Sequence, residues 1–392
     1  MSPAPPSSPV PLSVLDLVPV SSGSTPRQAL ERTVELARRA EAAGYHRYWL
    51  AEHHLARGVA SSAPALVIGL VAGATGRIRV GSAAVQLGHH TALSVVEQFG
   101  TLDALYPGRI DLGLGRSGHR GGPSGGTAGA PVPERAGEAP SAAREARRVD
   151  GVLIPAPFSP RGLLESPYFA VQQALLQLPG AVSPAYPEQV DEIRALLAGD
   201  YRSAGGVEAH AVPGEGADLQ LWVLGSSGGE SARVAGERGL PFAANYHVSP
   251  GTILETVQAY RDAFRPSAEL TRPHVVVSAD VVVGPDDGTA RRLASGYGLW
   301  VRSIRTGRGA IPFPSPREAA EHRWTEADRA LVADRVDTQL VGSARTVVEG
   351  LRRLRAVTDA DELLITTITH DHADRVRSYE LLADAWRQDG AA

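Results

Sequence analysis

The chain of 392 residues is 43% hydrophobic and 21% charged, so it can bury one large core and is not a disordered polypeptide. Its 39 basic and 43 acidic side chains leave a net charge of −4 with no basic block, which argues against nucleic acid or an anionic membrane as partner. It has no cysteine, which excludes disulfides, thiolate metal sites and a cysteine nucleophile. The N-terminal MSPAPPSSPVP has neither the basic region nor the apolar run of a signal peptide. No apolar run approaches the ~20 residues that cross a bilayer, so a cytoplasmic protein with no membrane partner is expected.

Residues 1–11 read as a disordered, proline-rich lead-in, and residues 12–392 as a single domain. Residues 12–18 form the first strand. Pro26 opens a helix after Ser24-Thr25, and the apolar spacing of Leu30, Val34, Leu36 and Ala40 carries it to Gly44. Residues 45–51 are the second strand and 63–74 the next helix. A strand over 78–85 follows, with two alanines where bulk is usual. A helix over 91–105 shows Leu93, Val96, Phe99, Leu102 and Leu105 at helical spacing. Tyr106-Pro107-Gly108 stops it, and residues 109–114 make a short buried strand ending on Gly115 and Arg116.

From Ser117 to about Glu134 the pattern dissolves into Gly, Pro and Ser. Irregular pieces follow at 143–154, then helical stretches at 168–178 and 188–198. The βα rhythm then resumes, so residues 117–217 are one insertion and not a second domain. Strands are expected at 219–224, 241–245, 274–283 and 362–367, with helices at 230–238, 250–264, 289–301, 343–356 and 373–387. A Gly/Pro-rich stretch at 306–316 suggests a lid within a second insertion, about 303–340. Eight strands, each followed by helical material, fit an α/β fold of the (β/α)8 TIM-barrel type, enlarged beyond its usual ~250 residues by insertions after strands 4 and 7.

In such a barrel the site lies at the C-terminal strand ends. Those ends carry Glu52, His53 and His54; Ala83, Ala84 and Gln86; Gly115 and Arg116; residues 225–229; Asn245 and His247; and His370 and His372. Any one of these is ordinarily a loop residue in water, but six strand ends agree. In LGSSGGESARVAG, a strand runs into Ser226, Ser227, Gly228 and Gly229, and Glu230 opens a helix. Free N–H groups with serine hydroxyls beside them suit a phosphate, although a plain flexible turn reads the same way. Neighbours on an extended segment point apart, so His53 and His54 do not share an ion easily, and a metal is the weaker reading even with His370-x-His372. A neutral histidine serving as general base suits His53 better.

The stretches YWLAEHH, RVGSAAVQLGHHTALSVVEQFGTLDALYPGRIDLGLGR, WVLGSSGGESARVAGERGLPFAANYH and DELLITTITHDHADRVRSYELLA resemble, in order and spacing, a bacterial luciferase-like flavin-dependent monooxygenase. RRVDGVLIPAPFSP and GVEAHAVPGEGADLQLW resemble a subgroup of actinobacterial natural-product clusters, which implies antibiotic biosynthesis. The resemblance implies a luciferase-like barrel, reduced FMN supplied by a separate flavin reductase, O2, and a small-molecule substrate. It places the catalytic histidine at His53, with Glu52 and His54 acting beside it. It puts a non-prolyl cis peptide at Ala83-Ala84, against the flavin ring. Arg116, Ser226, Ser227, Gly228, Glu230 and Ser231 fall on the phosphate site. It also implies a homodimer paired through the helices at 63–74 and 91–105.

Two alternatives share the barrel. One is an F420-dependent oxidoreductase, which the GSAAVQ segment does not separate from the monooxygenase. The other is a non-catalytic flavin-binding protein, against which the intact Glu52-His53-His54 argues.

Overall fold

The computed structural model describes residues 10–116 and 145–390. In it, eight parallel strands close into a barrel. They are β1 (Leu12–Asp16), β2 (Arg47–Leu50), β3 (Arg79–Ser82), β4 (Ile110–Gly115), β5 (Gln220–Gly225), β6 (Phe242–Asn245), β7 (Val275–Gly284) and β8 (Glu362–Thr366). Each pairs with the next. β8 closes on β1, with Leu12 opposite Leu363 and Val14 opposite Ile365. The fold is the (β/α)8 barrel that the strand count led us to expect. The lead-in up to residue 9 and the loop expected from 117 to about 134 lie outside the described residues.

The outer ring is built from α1 (Pro26–Ala42), α2 (Pro64–Ala74), α3 (Ala92–Leu105), α4 (Tyr186–Ala198), α5 (Glu230–Glu237), α6 (Ile253–Ala263), α7 (Ala344–Thr358) and α8 (His372–Gly390). α1 starts where the sequence places it because Thr25 and Gln28 cap each other, N–H to side chain, in both directions. α2 and α3 leave leucines exposed: Leu66 and Leu70 on one, Leu93 and Leu105 on the other. Among the described residues no helix is long and apolar enough to cross a membrane.

Alternation along the strands divides the core in two. Val14, Tyr48, Leu112, Val277 and Ile365 point outward, into the layer beneath the helices. Leu15, Trp49, Trp222, Val276 and Leu364 point into the lumen. At the N-terminal mouth the lumen is filled by charge. Arg47 donates to Asp111 Oδ2 at 2.8 Å, to Gln220 Oε1 at 2.7 Å and to Glu362 Oε2 at 3.2 Å. Trp49 Nε1 and Arg79 Nε also reach Asp111, each at 2.8 Å. The side chains of Asp111 and Glu362 are 0% and 2% exposed, so these pairs are fully desolvated. Gly81 lets β3 lie against β4 there, since a Cβ on it would stand 2.5 Å from the Asp111 Cβ.

Three segments depart from the sequence reading. The irregular stretch at 143–154 contains an antiparallel hairpin, Arg147–Val149 with Val152–Ile154, too short for periodicity to show. The second insertion holds two helices, Pro316–Glu321 and Glu326–Val336, each opened by a capping box. A strand, Leu340–Ser343, then runs parallel to the end of β7. The expected lid at 306–316 is tied down instead. Phe313 is wholly buried, its N–H donates to Val20 O at 2.8 Å, and Ala310 O accepts from Gly58 N–H at 2.7 Å. Apolar burial of Phe313 makes this stretch a wall of the barrel mouth.

Removing one partner of a desolvated ion cluster strands the others, at about 3–5 kcal/mol. Arg47→Met is therefore expected to lower denaturant stability by that amount. A loss under about 1 kcal/mol, typical of a surface pair, would contradict the assignment of this cluster as the floor of the barrel.

Candidate active site

At the C-terminal mouth, β2 runs out into Glu52, His53 and His54. The Glu52 side chain is fully buried, and its carboxylate is surrounded by donors. Its Oε1 lies 2.8 Å from His54 Nε2 and 2.9 Å from His90 Nε2, and its Oε2 accepts the Gln86 N–H at 2.8 Å. The Gln86 side chain returns a bond to Glu52 O at 2.6 Å. Burial pushes this carboxyl up, but the bonds from His54, His90 and Gln86 outweigh it and hold the pKa at about 2. Glu52 therefore ties the end of β2 to the segment that follows β3.

That segment opens with Ala83-Ala84, whose peptide bond is cis. Ala83 N–H donates to Leu50 O at 2.8 Å, and both alanines pack on the lumen cluster beside Ala51 and Leu224. Val85–Gln86 then pairs with the end of β4. His53 sits between these two pinned segments, its own N–H donating to Ser61 O at 2.9 Å. Its Nδ1 is buried and meets no partner among the described residues. Burial first, and then the neighbouring His54, lower its pKa to about 4, so it is unprotonated at neutral pH.

His247, just past β6, is the second neutral histidine. Its Nδ1 lies 2.5 Å from Ser278 Oγ of β7. Burial lowers its pKa well below the ordinary value, and Arg335 and His53 push in the same direction. Further toward the mouth along β7, Asp280 meets Tyr297 and Arg335. Arg335 Nη2 stands 3.3 Å from Asp280 Oδ2 and 2.8 Å from Tyr297 OH. Burial raises the Asp280 carboxyl against the pull of Arg335.

Arg116, at the end of β4, approaches Glu230 with Nη1 to Oε2 at 3.6 Å, bringing the expected phosphate residues together across β4 and β5. The turn after β5 is held by Thr252 Oγ1, which donates to Ser226 O at 2.7 Å, and by Asn245, whose Nδ2 reaches Ser226 Oγ at 3.3 Å. Gly228 packs closely, and a Cβ there would lie 3.2 Å from Ala259 Cβ and from Glu255 O. Ser231 is buried against Tyr186, whose OH donates to Leu114 O at 3.3 Å. Ser226 and Ser227 border a cavity of about 370 Å3 whose other walls include Phe158, Leu163, Val248, Val301 and Ile304.

Two features of this mouth fit a flavin phosphate ester. α5 begins at Gly229 without a side-chain cap, which leaves its first-turn N–H groups for an anion. A Cβ on Gly115 would stand 3.1 Å from the Ala84 Cβ, so glycine and alanine together keep the surface at the cis peptide low, as a flat ring needs. A metal is not favoured at His370 and His372, which turn to different partners. His370 Nε2 lies 3.2 Å from Ser22 Oγ, and His372 Nε2 lies 3.2 Å from Glu35 Oε2.

Reading from sequence named Glu52, His53, His54, Ala83, Ala84, Arg116 and the 226–231 turn as candidates, which the fold brings to this one mouth, but did not name His90, Ser278, Asp280, Tyr297 and Arg335 as their neighbours. Ser278 and Asp280 did carry a signal: in VVVSADVVVG they are the polar residues of one face of an otherwise apolar strand. Arg335 carried none, being one charge on a helix rich in charges.

The sequence model of the luciferase-like monooxygenase family matches residues 10–149 and 185–360. The protein YvbT of Bacillus subtilis (strain 168), itself uncharacterized, is 38% identical over 379 residues, 96% of either chain. The crystal structure of apo-MsnO8 superposes with a TM-score of 0.71 at 29% identity, covering 96% of this chain and 98% of that one. A type II Baeyer-Villiger enzyme, the oxygenating constituent of 3,6-diketocamphane monooxygenase from Pseudomonas putida in complex with FMN, shares the fold. Its TM-score is 0.61 at 18% identity, covering 96% of this chain and 97% of that one. The chain belongs to the luciferase-like monooxygenase family.

Proposed function

We propose that this protein is a monooxygenase that takes reduced FMN from a separate flavin reductase and uses O2 to oxygenate a small organic substrate. The observation that carries this reading is His53: a half-buried, unprotonated histidine with a buried, unpartnered Nδ1, on the run-out of β2 next to the strand that leads into Ala83-Ala84. Family membership and the FMN complex of the structurally related diketocamphane enzyme support the choice of cofactor. When bound, the reduced flavin supplies the two electrons that let one oxygen atom enter the substrate while the other leaves as water.

The chain's own residues position, shield and move protons. Arg116, Ser226, Ser227, Ser231 and the N–H groups around Gly228 hold the phosphate, with Glu230 orienting Arg116. Ala83 and Ala84 support the ring. His53 accepts or returns a proton at Nδ1, and its low pKa keeps that lone pair free at neutral pH. Glu52 and His54 act on His53 by holding its loop, since the Glu52 carboxylate is already committed to three donors. The substrate occupies the cavity beside Val248 and Val301. A place in antibiotic biosynthesis rests on the resemblance of the first insertion alone.

Anaerobic titration with reduced FMN and with reduced F420, followed by air, tests the cofactor. Reduced FMN is expected to bind, and air to produce an absorbing species that outlives the oxidation of free reduced FMN. Binding of reduced F420 alone would favour the oxidoreductase alternative. A charge-assisted phosphate contact of about 1.5–3 kcal/mol means that Arg116→Ala weakens FMN roughly 10- to 150-fold. An unchanged dissociation constant would place the phosphate elsewhere.

His53→Ala is expected to keep flavin binding and to lose at least about a hundredfold in product formation. Because the working form is the unprotonated one, present above the pKa and lost below it, the acid limb of the wild-type chemical step falls near pH 4. A limb near the ordinary histidine value of 6.5, or near-normal turnover by the variant, would move the proton to another group.

We also propose a homodimer paired through α2 and α3, on the strength of their solvent-facing leucines. Leu66 and Leu70 are 74% and 56% exposed one helical turn apart, and Leu105 is 67% exposed. Sedimentation is expected to show twice the 41.2 kDa of one chain, and Leu66→Glu with Leu70→Glu to halve it. A wild-type monomer at micromolar concentration would rule the pairing out.

A further inference from the structure

The cavity surface is mostly apolar, but Ser226, Ser227, Ser249, Thr252 and Asp334 line it as well, and so do two arginines, Arg305 and Arg335. Arg305 has both of its terminal nitrogens engaged. It forms a two-pronged pair with Asp334, with Nη2 to Oδ2 at 2.6 Å, donates to Leu331 O at 2.5 Å, and lies 3.9 Å over the Phe158 ring. Arg335 is different. Its side chain is 9% exposed. Nε and Nη2 are spent on Tyr297 OH at 3.1 and 2.8 Å, and Nη2 also on Asp280. None of its hydrogen bonds among the described residues uses Nη1, and the residue lines the cavity. A buried guanidinium held on one edge by a carboxylate and a phenol, and open on the other, is an oriented donor.

We propose that Arg335 is a specificity-determining residue whose Nη1 donates to a neutral carbonyl oxygen on an otherwise apolar substrate. This deepens, and rests on, the oxygenase reading of the same site. The wall asks for hydrocarbon through Phe158, Leu163, Val248, Val301 and Ile304. The donor asks for one acceptor, because an apolar ligand that covered Nη1 without bonding it would leave a desolvated donor unpaired. The charge count asks for neutrality. Arg335 is balanced by Asp280, Arg305 by Asp334, and His53 and His247 are uncharged, so a carboxylate would bring an unbalanced charge into a buried site. Phe158 and Leu163 belong to residues 150–184, a part of the first insertion that the family model leaves unmatched.

The test uses three matched probes read by fluorine NMR on the full chain without flavin: 4-fluoroacetophenone, 4-fluorotoluene and 4-fluorobenzoate. The expected result is that the ketone binds at least about tenfold more tightly than either of the others, the ratio that one paired donor supplies. Arg335→Met with Asp280→Asn removes both charges together and is expected to abolish that ratio while 4-fluorotoluene binding stays unchanged. Where that pair of substitutions unfolds the chain, Arg335→Lys serves, since a lysine drawn to Asp280 has no second edge to offer. A merely structural role would shift all three probes alike. Equal binding of the probes, tighter binding of the benzoate or the toluene, no binding of the ketone, or a preserved ratio in the variant overturns the proposal. Displacement of the ketone by FMN would also overturn it, by placing the flavin on Arg335. Since the ratio is read without flavin, a failure of FMN to bind would sink the oxygenase reading and leave this result to stand or fall by itself.

Discussion

The carboxylate of Glu52 is the constraint on which the site depends. A fully buried carboxylate is costly unless donors surround it, and here His54, His90 and the Gln86 N–H do so. Those donors come from three places: the residue two on from Glu52, the segment just after the cis peptide, and the turn before α3. One charge therefore draws the ends of β2 and β3 together. His53 and Ala83-Ala84 lie on the two strands being drawn, so their relative placement follows from where this carboxylate sits. Side chains held through a buried, saturated carboxylate reorganise little, which is what a proton-handling group needs.

The barrel lumen is organised as a sealed end and an open one. Arg47, Asp111, Glu362 and Arg79 fill the N-terminal mouth, where their mutual attraction offsets their desolvation. Trp49 and Trp222 lie edge to face above them at 5.0 Å between ring centroids. Above the tryptophans the side chains shrink to Ala51, Ala83, Ala84 and Ala243. The space left by those alanines is the upper site. The second insertion then adds Arg335, which meets Asp280 of β7 and Tyr297, and the buried Phe313 to its rim. The candidate site thus lies in loops and insertions set on a packed lower half.

Much of this was legible in the sequence, for identifiable reasons. Strands buried on both faces read as apolar runs, and β7 was placed to within a residue at each end. Thr25 with Pro26 marked the start of α1, and Tyr106-Pro107-Gly108 the end of α3. The 226–231 turn was visible because glycine and serine have few other reasons to cluster before a helix. The hairpin at 147–154 was not legible, because three-residue strands carrying exposed arginines have no period to detect. Nor was Arg335, which meets Asp280 across 55 residues of chain: a pairing of that kind is a product of the fold and leaves no local trace. His90 was hidden in the same way, its role resting on a carboxylate 38 residues earlier.

The account rests on one placement: phosphate between Arg116 and the first turn of α5, ring against Ala83-Ala84, His53 at its edge. A crystal structure of the chain soaked with FMN tests this most directly. It is expected to show the phosphate in contact with Arg116 and the Ser226–Ser231 turn, and His53 Nδ1 within hydrogen-bonding reach, about 3.2 Å, of the flavin ring or of a water upon it. A flavin bound with its ring away from Ala83-Ala84, or with His53 turned from it toward Ser61, would contradict the account.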